Sequence, residues 1–143
     1  MATIDLPNNI LEALSTVLQQ LQQSLPEVKQ APDFSAIAFK WENGELKAIH
    51  QLKRIELNDL KGIERQKEKV LQNTEQFLNG LPANDVLLTG SRGTGKSSIV
   101  RALLTEYAEQ GLRLIEIERD DLSELPEIQK LIAERPEKFI VYC

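Results

Sequence analysis

The stretch that most constrains this chain runs from Asp85 to Ser98, DVLLTGSRGTGKSS. An apolar run at 86–88 leads into Gly90, four residues, then Gly95-Lys96-Ser97, and a helix-forming segment follows. A strand, a glycine loop of this spacing and a helix, in this order, make the phosphate-binding loop pattern. Glycines at 90, 93 and 95 let the backbone adopt φ values that a β-carbon resists, so that successive N–H groups can face an anion. A helix starting near Gly95 adds unpaired N–H groups and a partial positive charge. In this pattern Lys96 reaches the β- and γ-phosphates and the Ser97 hydroxyl ligates Mg²⁺. The candidate phosphate and metal residues are therefore Gly90, Ser91, Arg92, Gly93, Thr94, Gly95, Lys96, Ser97 and Ser98. A bare strand-to-helix turn would explain the glycines but not Lys96-Ser97. Arg92 is read as a solvated charge, with a phosphate contact as the alternative.

The rest of the composition narrows the class. A chain of 143 residues, 41% hydrophobic and 27% charged, suits one globular domain. Aromatics at 5% and a net charge of -5 do not favour base stacking or a broad nucleic-acid face, so a nucleic-acid partner is not expected. No apolar run is long enough to span a membrane and no signal-peptide pattern opens the chain, so a cytoplasmic location is expected. With Cys143 alone, neither an intrachain disulfide nor a thiolate metal cage can form.

Along the chain, Ile10, Leu11, Leu14, Val17, Leu18, Leu21 and Leu25 recur at spacings of three and four. They predict an amphipathic helix from Pro7 to about Leu25, with Asp5 as a cap and Pro26 as a stop. It reads as a packing helix with a glutamine-rich solvated face, or as an arm for a protein partner or a second copy. Asn43-Gly44 between alternating runs at 36–41 and 45–52 predicts a β-hairpin, with Ile37, Phe39 and Trp41 on one face. His50 falls in the second strand and has no catalytic neighbours in sequence. A second helix is predicted after Asn58-Asp59, through Ile63 to Leu78, closed by Gly80 and Pro82. Then come a strand at 86–88, the loop and a helix carrying Ile99, Val100, Leu103, Leu104 and Tyr107. A strand at 112–117 follows, and a helix from an Asp121-to-Glu124 cap to about Glu134. The last predicted strand covers 138–142. Alternation of strand and helix from residue 85 onward implies a parallel α/β sheet.

Taken together, Leu57-Asn58-Asp59-Leu60-Lys61-Gly62-Ile63 and the phosphate loop resemble an AAA+ P-loop ATPase module. The chain is more closely similar to a bacterial family of AAA-like ATP-binding proteins of unknown function. That similarity runs through Gly62-Ile63-Glu64-Arg65-Gln66-Lys67, Asn73-Thr74-Glu75-Gln76-Phe77-Leu78 and Pro82-Ala83-Asn84 into the loop. It covers about residues 55–143 well and the first third loosely. It implies ATP and Mg²⁺ as ligands, with Leu60, Gly62 and Ile63 on the adenine side. It also implies a P-loop NTPase parallel sheet of AAA+ type, preceded by an N-terminal helix and β-hairpin. The corresponding expected division is 1–54 for helix and hairpin and 55–143 for the nucleotide-binding part.

In such modules an apolar third strand is followed by the Walker B acids, and here Phe139-Ile140-Val141-Tyr142-Cys143 is the last run. The expectation is of a chain truncated before Walker B, with nucleotide binding at most and hydrolysis near background. The earlier Ile115-to-Asp121 segment is a weaker Walker B candidate, because Asp121 is already expected as a helix cap. In the strand order these modules resemble (fifth, first, fourth, third, second), the strands at 86–88 and 139–142 would lack the one that separates them. Glu116 and Glu118 would then mark the edge of the sheet. The implied function is ATP binding, coupled in a full-length form to hydrolysis and remodelling of an unknown protein partner, with a homo-oligomer in view. Two alternatives stay open: a P-loop kinase or GTPase, and a non-catalytic, nucleotide-switched interaction module.

Overall fold

The computed structural model describes residues 7–25 and 31–143. The chain divides into two compact units, Met1–Ala31 and Pro32–Cys143. In the first, the predicted periodicity forms helix α1 (Asn8–Ser24), with Pro7 at its N-cap position. Its stripe of Leu11, Leu14, Leu18, Leu21 and Leu25 is 48–65% exposed, and no described residue of α1 is buried. The expected cap at Asp5 and stop at Pro26 lie outside the described residues.

The second unit is an α/β layer structure. Its strands are β1 (Ala38–Glu42), β2 (Glu45–Ala48), β3 (Leu112–Glu116) and β4 (Lys138–Tyr142), in the spatial order β2-β1-β3-β4. β1 and β2 pair antiparallel across Asn43 and Gly44, whose φ values of 54° and 72° suit the tight turn that Asn-Gly prefers. β1–β3 and β3–β4 are parallel. The helices are α2 (Glu64–Leu78), α3 (Lys96–Tyr107) and α4 (Leu125–Ile132). No described helix is long and apolar enough to cross a membrane.

Strand alternation makes two cores, one on each face of the sheet. Leu112 and Leu114 pack with Ile99, Val100, Leu103, Leu104 and Tyr107 of α3 and with Val70 of α2. Ile115 and Ile117 pack on the other face with Phe39, Trp41 and Ile128 of α4. The predicted apolar face of α3 is thus buried in full.

Several expectations change in the structure. No strand forms at 86–88: the segment is irregular, with Val86 49% and Leu87 87% exposed. A strand needs a ladder partner for its N–H and C=O groups. β4, the last strand in the sheet order, does not supply one: it and this segment line a shared cleft of about 660 Å³. Glu116 and Glu118 do not mark a sheet edge, because the hairpin extends the sheet beyond β3. Instead Glu116 lies 3.6 Å from Arg101, and Glu118 lies 3.7 Å from Lys40 of β1. The hairpin therefore shares one sheet with β3 and β4.

Ile37 precedes β1 and packs with the α3-side core, so only Phe39 and Trp41 share the other face. β2 stops at Ala48, which leaves His50 outside it, exposed, with Nε2 3.7 Å from Asp33 Oδ2. α2 begins at Glu64, not near residue 60, because Gly62 takes a left-handed φ of +74°. Its end is as expected: the Gly80 N–H reaches Phe77 O (3.1 Å) and Leu81 N–H reaches Gln76 O (2.9 Å), the Schellman closure. Asp121 is not a helix cap. Residues Arg119–Glu124 form 3₁₀ turns, and α4 starts at Leu125, where Pro126 suits the first turn. The Glu124 carboxylate instead accepts the indole N–H of Trp41, 83 residues away, at 2.5 Å.

Candidate functional site

The loop between residues 89 and 96 takes the curl that its glycines allow. Gly90, Gly93 and Gly95 have φ of +150°, +86° and +85°, and Gly95 is the N-cap residue of α3. At Gly90 a β-carbon would fall 2.9 Å from Thr94 Oγ1, so a side chain there would force the Thr94 hydroxyl out of its place in the curl. Lys96 turns back into this curl and donates to Gly90 O and Ser91 O, each at 2.7 Å. Thr94 Oγ1 donates to Ser91 O at 2.8 Å and bridges the two ends of the turn. The first-turn N–H groups of α3, those of Lys96, Ser97 and Ser98, have no intrahelical acceptor by helix geometry. Cation, helix N-terminus and glycine curl thus converge on one point.

Loop residues Ser91, Arg92, Gly93 and Thr94 are exposed, and Arg92 stands at the tip. Ser97 Oγ lies 2.8 Å from the hydroxyl oxygen of Tyr142, at the end of β4. The donor set of Ser97 hydroxyl, Lys96 ammonium and backbone N–H groups fits a phosphate chain carrying a hard divalent cation, which takes oxygen ligands.

The segment expected on the adenine side is brought to the same helix. The 3₁₀ turn Leu57–Asp59 packs against α3, and Leu60 and Ile63 pack on the core that contains Ile99, Val100 and Leu103. Lys67 Nζ ties this connector down by donating to Leu57 O (3.1 Å) and Leu60 O (2.8 Å). Neither Leu60 nor Ile63 lines the cleft beside β4; of the loop residues, Lys96 does. The cleft walls are mixed, with Val70, Phe77, Leu88, Val100 and Ile140 on the apolar side and Asn73, Asn84, Asp85 and Tyr142 on the polar side.

Two features were not read from the sequence. Asn73 clamps the strand-like segment: its Nδ2 donates to Asn84 O (2.8 Å) and its Oδ1 accepts the Asn84 N–H (2.9 Å). The amide side chain so supplies the donor and acceptor that a neighbouring strand would otherwise provide. The second feature is Tyr142, read only as a strand residue. Period-two alternation along β4 carried the signal, since it turns Ile140 and Tyr142 toward α3.

Comparison with known proteins bears on the family of the chain. Residues 34–143 match the family described as Protein of unknown function (DUF815). The chain belongs to this family. DUF815 is associated with AAA+ ATPase-like proteins. The DUF815 chain is also similar to the Replication factor C large subunit of Methanococcus maripaludis (strain C7 / ATCC BAA-1331). The two are 36% identical over 52 residues, covering 36% of this chain and 11% of that protein. The chain thus spans about a tenth of that relative's length. No solved structure matches. The matches support AAA+ membership, and the open, mostly parallel four-stranded sheet is of the expected α/β class.

Proposed function

We propose that residues 90–98 bind the phosphates of ATP together with Mg²⁺, and that the 60–63 connector lies on the adenine side. The observation that carries this is the placement of Lys96 Nζ inside the glycine curl, 2.7 Å from two loop carbonyls, at the N-terminus of α3. A lysine there exchanges carbonyl oxygens for phosphate oxygens without moving its own stem, and the helix N-terminus adds favourable potential for the anion. The Ser97 hydroxyl is the protein ligand for the cation. Mg²⁺ bound there would neutralise charge on the β- and γ-phosphate oxygens.

AAA+ membership supports a wider proposal for the whole protein, in which ATP turnover drives a conformational change in a protein partner. The exposed leucine stripe of α1 is a surface on which such a partner, or a second copy, can dock. A GTPase is the weaker reading because the resemblance implies Leu60, Gly62 and Ile63 on the adenine side; a P-loop kinase, which also takes ATP, is the weaker reading because of the AAA+ similarity.

Thermal unfolding with and without Mg²⁺–ATP, ADP and GTP tests the binding proposal, beside Lys96→Ala. Ligand at a hundred times its dissociation constant should stabilise the chain by about 2.7 kcal/mol. An adenine-selective rise in Tm that Lys96→Ala abolishes is the expected result. No rise with any nucleotide would overturn the proposal.

A further inference from the structure

We propose that Tyr142 is a positioning residue for the phosphate loop: its hydroxyl oxygen accepts the Ser97 proton and so aims the serine oxygen at the divalent cation. The inference rests on the nucleotide reading of residues 90–98 and extends it to a strand that the loop motif does not contain.

The two hydroxyl oxygens are 2.8 Å apart although 45 residues separate them in sequence. Tyr142 is held from both ends. Its ring packs, with Ile140, against the core that contains Val100 and Leu103, and its carbonyl accepts the Ile117 N–H at 2.9 Å. The half-buried ring leaves its phenol oxygen at the first turn of α3 as a fixed hydrogen-bond partner for Ser97 Oγ.

A serine hydroxyl has one proton and two lone pairs. Near a helix start it otherwise turns to neighbouring backbone groups. Donation to a fixed phenol oxygen selects one rotamer and leaves both lone pairs of Ser97 for a hard cation. The opposite polarity, with Tyr142 donating, would occupy a serine lone pair and compete with the cation. The two polarities predict effects of opposite sign when the phenol is removed.

The experiment is equilibrium binding of ATP carrying a fluorescent ribose label, in excess Mg²⁺ and in chelator. The variants are the unmutated chain, Lys96→Ala, Tyr142→Phe, Ser97→Ala and the Tyr142→Phe/Ser97→Ala double variant. Loss of one hydrogen bond should remove about three- to tenfold of the affinity gained from Mg²⁺ in Tyr142→Phe. Affinity in chelator should not change, and Tyr142→Phe should have no effect once Ser97 is alanine. A Mg²⁺ gain in Tyr142→Phe equal to or above that of the unmutated chain overturns the proposal. So does an equal loss in the Ser97→Ala background, which would mark a merely structural role. If the Mg²⁺ gain depends on Ser97 but not on Tyr142, only this inference fails. If the unmutated chain binds no better than Lys96→Ala, the nucleotide reading fails and takes this inference with it.

Should Tyr142→Phe not fold, the unmutated sequence supplies a second test, because it has two tyrosines. With 3-fluorotyrosine incorporated, Ser97→Ala and Mg²⁺–ATP should each move the same ¹⁹F resonance. Tyr107, hydrogen-bonded to Glu75 at 2.8 Å, is the internal reference. A Tyr142 resonance unmoved by both changes overturns the proposal.

Discussion

At the scale of single residues, the loop is built by what its glycines permit. Gly90 combines a φ of +150° with a Cβ position 2.9 Å from Thr94 Oγ1, so Gly90→Ala meets both backbone strain and a clash. Such strain costs about 1–3 kcal/mol. The expected outcome is a Tm lowered accordingly together with lost nucleotide affinity, read by calorimetry and by the binding titration. A different residue-scale device closes the opposite face of the sheet. Arg135 stacks 4.4 Å from the centre of the Phe34 ring while its Nε and terminal nitrogen reach the two oxygens of Glu137, at 3.0 and 2.6 Å. The hydrogen bonds from Arg135 hold the Glu137 carboxyl below its ordinary pKa of 4.5. A depressed folded-state pKa means stabilisation that is complete above the unfolded value and fades as pH falls through the folded one. Glu137→Gln should therefore destabilise the chain at pH 7 and progressively less below pH 4.5, measured as the Tm difference from the unmutated chain across that range.

At the scale of elements, β3 and the 86–88 segment, both predicted as strands, meet opposite fates. Both carry aliphatic residues, Leu112, Leu114 and Ile115 in one and Val86, Leu87 and Leu88 in the other, yet β3 has a strand on each side and 86–88 has none. What holds the latter segment near α2 is the Asn73–Asn84 clamp, a pair of hydrogen bonds from one side chain. Asn73→Ala removes both, each worth about 0.5–1.5 kcal/mol net. Hydrogen exchange at the Asn84 amide should accelerate several-fold, while protection within β3 is retained. An unchanged Asn84 rate would show that the clamp does not hold the segment. Helix starts were the least legible elements. Gly62 and Pro126 moved them to Glu64 and Leu125, and the acid at Glu124 was spent on Trp41. A capping pattern competes with any distant donor that folding brings within reach, and the local sequence carries no sign of that competition.

At the scale of the whole molecule, β3 links the two cores. Leu112 and Leu114 face one and Ile115 and Ile117 the other, so a defect on either side is felt across the sheet. Ile115 is fully buried, and Ile115→Ala should cost about 2–5 kcal/mol. Trp41, the one tryptophan, is buried beside Ile115 in the same core and gives a fluorescence signal for it. Urea unfolding followed by this signal and by far-ultraviolet circular dichroism should give coincident, equally shifted transitions. Separated transitions would mean that the two cores unfold independently.

Sequence alone determined the features whose physical cause is local. These are the Asn43-Gly44 turn, the glycine curl of the phosphate loop, the buried face of α3 and the Gly80 closure, each set by allowed φ values or by helical spacing. Tertiary structure decided which apolar runs became strands, that the hairpin and not β3 closes one side of the sheet, and that Tyr142 meets Ser97. Those outcomes depend on pairing between residues tens of positions apart. A strand or an intersegment hydrogen bond exists only where a second segment supplies the matching groups, and no window of neighbouring residues contains that segment.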